Sequence, residues 1–264
     1  MKKINWLLLA VFTCAAICLR TGQLRTGFDE MGLPIAGNLF GTALIIVLFA
    51  AAVWFALEGR KLPAASDVAD GTISDCFRFK SMAAVFCAVA GAFLLPASVV
   101  ASVAGYSSGL QMMLLYVSTV VSAFCLLYVV VTLYRGREVL NVTLLVPVCS
   151  LIVYLIFLYR ADASDPVLAR FYIEILAAAL LTFSSLELAG FAFGCGSPRL
   201  FMPSAAMAAL LSAVNAAQRQ SLASMLLFAG CALLELGFLI AMDFTKKPRA
   251  DETIRPEPEE NEQI

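Results

Sequence analysis

The sequence is short of charge. Only 14% of its 264 residues are Asp, Glu, Lys or Arg, whereas 61% are apolar; a typical soluble domain has about 25% charged residues. Ten of the 37 charged residues lie in the last nineteen positions, so the rest of the chain has even less charge. Such a chain cannot cover a folded core with a hydrated surface. The composition therefore argues against a water-soluble enzyme and a disordered protein, and it predicts a multi-span membrane protein.

The sequence also has no histidine and no paired cysteine motif. The absence of histidine excludes His-ligated haem, HExxH zinc proteases and Ser–His dyads. None of the eight cysteines forms a CxxC, and their scatter does not suit a zinc cage or a disulfide framework. The net charge of −1 provides no basic surface for nucleic acid. We predict no metal, no cofactor, no nucleic-acid partner and no enzymatic activity.

Eight apolar runs are long enough, or nearly so, for the roughly 20 residues that a membrane-spanning helix needs. They cover residues 4–19, 33–57, 82–104, 109–134, 139–158, 169–193, 200–217 and 221–242. The predicted fold class is all-α: a polytopic bundle of about eight transmembrane helices over residues 1–243. Residues 244–264 are acidic and contain Pro256 and Pro258, which predicts a disordered tail.

Two of these runs leave alternatives open. The first is short and follows Lys2 and Lys3, as in a signal peptide, but no small-x-small cleavage site follows it, which favours an uncleaved helix. The seventh is rich in alanine, begins near Pro203 and could be re-entrant. Polar residues 20–31 are interpreted as the first loop.

The distribution of lysine and arginine predicts the orientation. With eight spans and a cytoplasmic N-terminus, thirteen Lys and Arg residues lie on the cytoplasmic side and five outside. The outside five are Arg20, Arg25, Arg160, Arg170 and Arg219. Both termini are therefore predicted to be cytoplasmic, in a bacterial-type plasma membrane.

Three glutamates lie within the spans, where ionisable residues are costly and face the bundle interior. Glu174 follows Arg170 by four residues on the sixth run, so the two share one helix face and predict a structural ion pair. Glu187 and Glu235 lie six and seven residues from the inner ends of the sixth and eighth runs. At about 1.5 Å per residue both are roughly 10 Å below the same boundary.

The shared depth of Glu187 and Glu235 admits three interpretations. The carboxylates could fix helix packing through nearby hydroxyls or arginines, line a vestibule for a cation or proton, or serve as an acid–base pair. Ser184 and Asn141 lie at compatible depth and complete the predicted ligand or ion pathway.

The sequence matches no functional motif, so the prediction of function depends on these polar groups. We predict a small-solute permease or the membrane subunit of a transport system. The alternatives are a non-catalytic scaffold, sensor or assembly factor and, less favoured, an intramembrane enzyme. The expected partners are the lipid bilayer, a small solute or cation, and a second copy or a partner subunit.

Overall fold

The computed structural model describes residues 5–29, 35, 37–63, 73–103, 110–162, 168–218 and 221–243. These residues form nine helices. The helices are α1 (Trp6–Thr26), α2 (Leu39–Arg60), α3 (Ile73–Cys76), α4 (Met82–Val103), α5 (Leu110–Tyr134), α6 (Asn141–Asp162), α7 (Leu168–Ala192), α8 (Pro198–Ala217) and α9 (Leu222–Ala241). All except the single turn α3 are long and apolar enough to cross a membrane. The predicted all-α bundle of eight spans is confirmed.

The first helix is longer than predicted. α1 continues through Arg20 and Arg25 and ends at Thr26, so the first seven residues of the predicted loop belong to the helix. Arg20 is only 1% exposed, and Arg25 is exposed on the last turn. The assignment of Arg20 to an outside loop was therefore wrong. A polar helical turn and a loop have the same low hydropathy, so the end of the apolar run did not mark the end of the helix.

The seventh run, α8, is continuous and is the most buried span. It has the lowest mean hydropathy of the eight, yet 72% of its spanning stretch is buried, against 17% for α1. Its 20 residues extend about 30 Å, enough to cross the hydrocarbon core. Because α8 contacts protein more than lipid, small alanines suit it better than large apolar side chains. The re-entrant alternative is wrong for this helix.

Six of the long helices form a closed ring. Helices α4, α5, α6, α7, α8 and α9 each pack against the next, and α9 packs back on α4. Helices α1 and α2 pack on each other and on the outer side of α8. The ring thus encloses an interior bounded by several spans, while the outward faces carry large exposed apolar side chains, such as Leu39 at 83% and Phe86 at 74% exposure. Faces of this kind suit a lipid environment, and the chain is a multi-pass membrane protein.

One end of the bundle, called the basic end below, has a concentration of exposed cations. Its members are Arg60, Lys61, Arg78, Lys80, Arg135, Arg137 and Arg199. The positive-inside rule predicts that this end faces the cytoplasm. The predicted tail, residues 244–264, follows the same end and lies outside the described residues.

A cluster of phenylalanines fills the interior at the basic end. Phe77 is fully buried and makes edge-to-face contacts with Phe191, Phe201 and Phe238, at centroid distances of 5.2, 5.3 and 6.0 Å. The segment that carries Phe77 is held to the end of α9, since Arg78 N donates to Ala241 O at 2.8 Å. The loop before α4 therefore closes the ring at this end.

Candidate functional site

The candidate site centres on Glu235, in the middle of α9. Glu235 is 7% exposed, and its Oε1 accepts a hydrogen bond from the hydroxyl of Ser184 on α7, which is fully buried. Glu235 lies six residues before Ala241, about 9 Å from the basic end at the helical rise. Among the described residues, no lysine or arginine forms an ion pair with it. The sequence predicted both side chains for the site, and the structure brings them together.

Glu235 borders a cavity of about 70 Å³ inside the helix ring. The cavity is bounded by α4, α5, α6, α7 and α9. Its polar lining consists of Thr119, Ser122, Ser150, Tyr154, Ser185, Cys231 and Glu235. Leucines and Phe238 form most of the remaining wall. Since a polar cavity needs at least about 10–15 Å³ to hold one water molecule, this one has room for several.

Most hydroxyls around the cavity already donate their protons to the protein. Thr119 donates to Leu115 O at 2.8 Å and Ser122 donates to Ser118 O at 2.7 Å, both within α5. Ser150 of α6 donates to the Ser118 hydroxyl at 3.3 Å. A hydroxyl has one proton and two lone pairs, so these groups offer acceptors to an occupant. Together with Glu235 they form a lining suited to a cation, a hydronium ion or a donating water.

A second carboxylate, Glu174, is linked to the cavity through Tyr154, toward the end opposite the basic end. Tyr154 lines the cavity, and its hydroxyl donates to Oε1 of Glu174 on α7 at 3.0 Å. The Tyr154 ring packs edge-to-face against Phe228, with centroids 6.4 Å apart. The predicted partner of Glu174, Arg170, lies on the same helix, but its side chain is outside the described residues. That ion pair stays a prediction.

Glu187 does not line the cavity that contains Glu235. It is half-buried and lines a separate, open cavity of about 250 Å³ with residues of α6, α7 and the turn after α7, such as Leu145 and Cys195. Its Oε2 accepts a hydrogen bond from Ser197 N at 3.2 Å. The two glutamates, predicted to share a depth, border different cavities. Asn141 is exposed at the start of α6 and lines neither of them.

Sequence reasoning did not select Thr119, Ser150 or Tyr154 for the site. Ser122 and Ser150 are buried and Tyr154 is half-buried. A single serine or tyrosine in an apolar helix gives no signal by itself, because its own helix can satisfy a hydroxyl. The missing information is the rotation of α5 and α6 about their axes, which decides which side chains face the ring interior.

The chemistry open to this site is limited by its composition. The cavity lining includes no lysine, arginine or aspartate, and the described residues contain no group of three or more Cys, Asp or Glu placed to hold a metal ion. Binding and release of a proton or a small cation at Glu235 remains the clearest activity of the arrangement. No protein-family model, curated protein or solved structure matches the chain.

Proposed function

We propose that the protein is a small-solute permease, or the membrane subunit of a transport system, in which Glu235 binds a coupling proton or cation. The observation that carries this proposal is a buried carboxylate on the wall of a cavity that five spans line with both hydroxyls and apolar side chains. Ionisable side chains that face the interior of a helix bundle are the usual location for coupling-ion chemistry in transporters.

The position of Glu235 gives a physical reason for ion binding. Moving a carboxylate from water into a protein interior costs several kcal/mol unless it is paired and hydrogen-bonded. The Ser184 hydroxyl provides one hydrogen bond but no positive charge. Glu235 can therefore be neutralised either by a proton on the carboxyl group or by a cation in the cavity. Exchange between such states is what couples an ion to a transport cycle.

The competing proposal is a non-catalytic scaffold, which the Ser184–Glu235 hydrogen bond favours. That bond joins α7 to α9, and hydrogen bonds between helices stabilise membrane bundles by about 0.6 kcal/mol on average. A packing role requires only an acceptor at position 235. It does not require an ionisable group or acceptors around a cavity, so replacement of the carboxylate by an amide separates the two proposals.

The test is transport by the full chain in proteoliposomes. Vesicles are loaded with a pH-sensitive dye and a defined mixture of sugars, amino acids and organic acids, and a proton or sodium gradient is imposed. We expect at least one solute or ion to cross faster than in protein-free vesicles. In Glu235→Gln this flux is expected to fall by about 100-fold, within the range for loss of a positioned proton-transfer group. Mass spectrometry of released solutes, dye fluorescence and ²²Na⁺ uptake give the rates.

The matched control is Glu138→Gln, which removes an exposed carboxylate between α5 and α6 and is expected to keep the wild-type rate. Glutamine can still accept the Ser184 hydrogen bond, so Glu235→Gln is expected to stay folded. Equal flux in wild type and Glu235→Gln would contradict the carboxylate mechanism. No flux above protein-free vesicles for any solute or ion would overturn the permease proposal in favour of the scaffold.

A further inference from the structure

We propose that the coupling ion is a proton and that Glu174 and Tyr154 form its path from the end opposite the basic end to Glu235. This inference deepens the proposed function and rests on it. It assigns a role in proton transfer to the hydrogen bond between the cavity-lining hydroxyl of Tyr154 and the half-buried carboxylate of Glu174.

Tyr154 lies between the cavity and Glu174. Its side chain lines the cavity that contains Glu235, while its hydroxyl donates to Glu174 Oε1 at 3.0 Å. Glu174 lies in the second turn of α7, six residues after its start at Leu168. The apolar span of α7 begins at Tyr172, so Glu174 lies only about 3 Å inside it. Glu174 is therefore near one boundary of the span, and Tyr154 connects it to the interior.

The cavity connects Tyr154 to Glu235, since both side chains line it. Glu174 and Ser184 are ten residues apart on α7, about 15 Å along the helix axis. The cavity is lined by hydroxyls of three helices, including Thr119 of α5, Ser150 of α6 and Ser185 of α7. Because Thr119 and Ser150 donate elsewhere, they present lone pairs to water. A volume of about 70 Å³ accommodates a short chain of water molecules held by these acceptors.

The transfer balances as a movement of one proton. Glu174, protonated from the solvent side, gives its proton to the Tyr154 oxygen, and Tyr154 releases its own hydroxyl proton to the nearest water in the cavity. The water chain passes one proton on to the Glu235 carboxylate, which becomes a neutral carboxyl group. Glu174 is left as a carboxylate, and Tyr154 is again a phenol that donates to it, as in the structure.

The composition of the path favours a proton over a metal cation. The link between Glu174 and the cavity is a direct 3.0 Å hydrogen bond, which can pass a proton without opening a channel for a hydrated ion. The titratable groups that line the cavity are Tyr154, Cys231 and Glu235. No lysine or arginine lines it, so the wall has no fixed positive charge that would repel a cation of either kind, and the direct hydrogen bond is what favours the proton.

Two substitutions test the path in the full chain. Tyr154→Phe removes the hydroxyl but keeps the ring against Phe228, and Glu174→Gln removes the carboxylate but keeps an acceptor. The measurement uses proteoliposomes with an internal pH dye and an imposed pH gradient, while potassium plus valinomycin clamp the membrane potential. We expect each substitution to slow proton uptake by at least about tenfold. Tyr128→Phe is the control, because Tyr128 is 48% exposed on the outer face of α5 and should leave the rate unchanged.

The outcomes separate this inference from the proposed function. Proton uptake at the wild-type rate in Tyr154→Phe or Glu174→Gln, with uptake still lost in Glu235→Gln, would overturn the path and leave the permease proposal intact. Sodium uptake without proton uptake in wild type would overturn the choice of ion alone. Thermal unfolding in detergent completes the test: an unchanged melting curve together with a slow proton rate supports the path, and a large drop in melting temperature overturns it in favour of a packing role.

Discussion

Replacement of Arg20 by alanine is expected to lower the free energy of unfolding by about 4 kcal/mol. Arg20 is 1% exposed on α1, its guanidinium lies 5.4 Å from the centre of the Tyr172 ring on α7, and its Nη1 donates to Gln23 Oε1 at 2.7 Å. A desolvated cation–π contact is worth about 2 kcal/mol, and a hydrogen bond from a charged group about 1.5–3 kcal/mol. Alanine loses both and leaves a void.

The chain contains a close control for this change. Arg25 is in the same helix, begins the same Arg-Thr-Gly triplet as Arg20, and is exposed. Arg25→Ala is therefore expected to change the unfolding free energy by no more than about 0.5 kcal/mol. Arg20→Lys is expected to fall between the two alanine variants, because lysine keeps the charge but not the planar stacking surface. Unfolding in mixed detergent micelles, followed by circular dichroism, measures all three. Equal stability of Arg20→Ala and Arg25→Ala would contradict the buried contact.

Arg20 also shows which part of the fold could not be predicted from the sequence. Hydropathy located all eight spans, because each contains about 20 mainly apolar residues. A helix of that length crosses the hydrocarbon core with its backbone hydrogen bonds satisfied internally. Hydropathy could not show that α1 extends beyond its apolar run, since Arg20 and Gln23 are stabilised by contacts inside the protein. A tertiary contact with Tyr172, 152 positions away in the chain, has no local sequence signal.

The sequence predicts the depth of the candidate carboxylates but not the direction in which their side chains face. The fixed helical rise predicts one level for Glu187 and Glu235. Which carboxylate faces the ring depends on the rotation of α7 and α9, and their hydrophobic faces are too uniform to reveal it. The same rotation decides that Ser184 contacts Glu235 while Glu187 borders another cavity. The sequence thus supplies the depth of candidate groups, and helix packing selects among them.

Replacement of Gly91 by alanine is the second change with a large expected effect. Gly91 lies in the contact between α4 and α9, the most extensively packed helix pair of the ring. A Cβ at Gly91 of α4 would lie 2.6 Å from Gly230 O and 2.8 Å from Leu234 N, both backbone atoms of α9. Gly237 is equally tight, with Ala88 N at 2.9 Å from its Cβ position. Glycines at such contacts let backbones approach closely. Gly91→Ala must therefore move one helix, at an expected cost of about 2–3 kcal/mol.

The same displacement is expected to reach the candidate site. Leu234 is next to Glu235, and α4 contributes Leu95 to the cavity wall, so separating α4 from α9 shifts the carboxylate relative to Ser184. Gly91→Ala is expected to lower both the melting temperature and the rate of transport. The control is Val100→Leu, which adds a methylene on α4 at a side chain 70% exposed to lipid and is expected to change neither. Wild-type stability in Gly91→Ala would show that α4 and α9 do not approach through this glycine. Loss of stability with an unchanged transport rate would show that the Glu235 cavity does not depend on that approach.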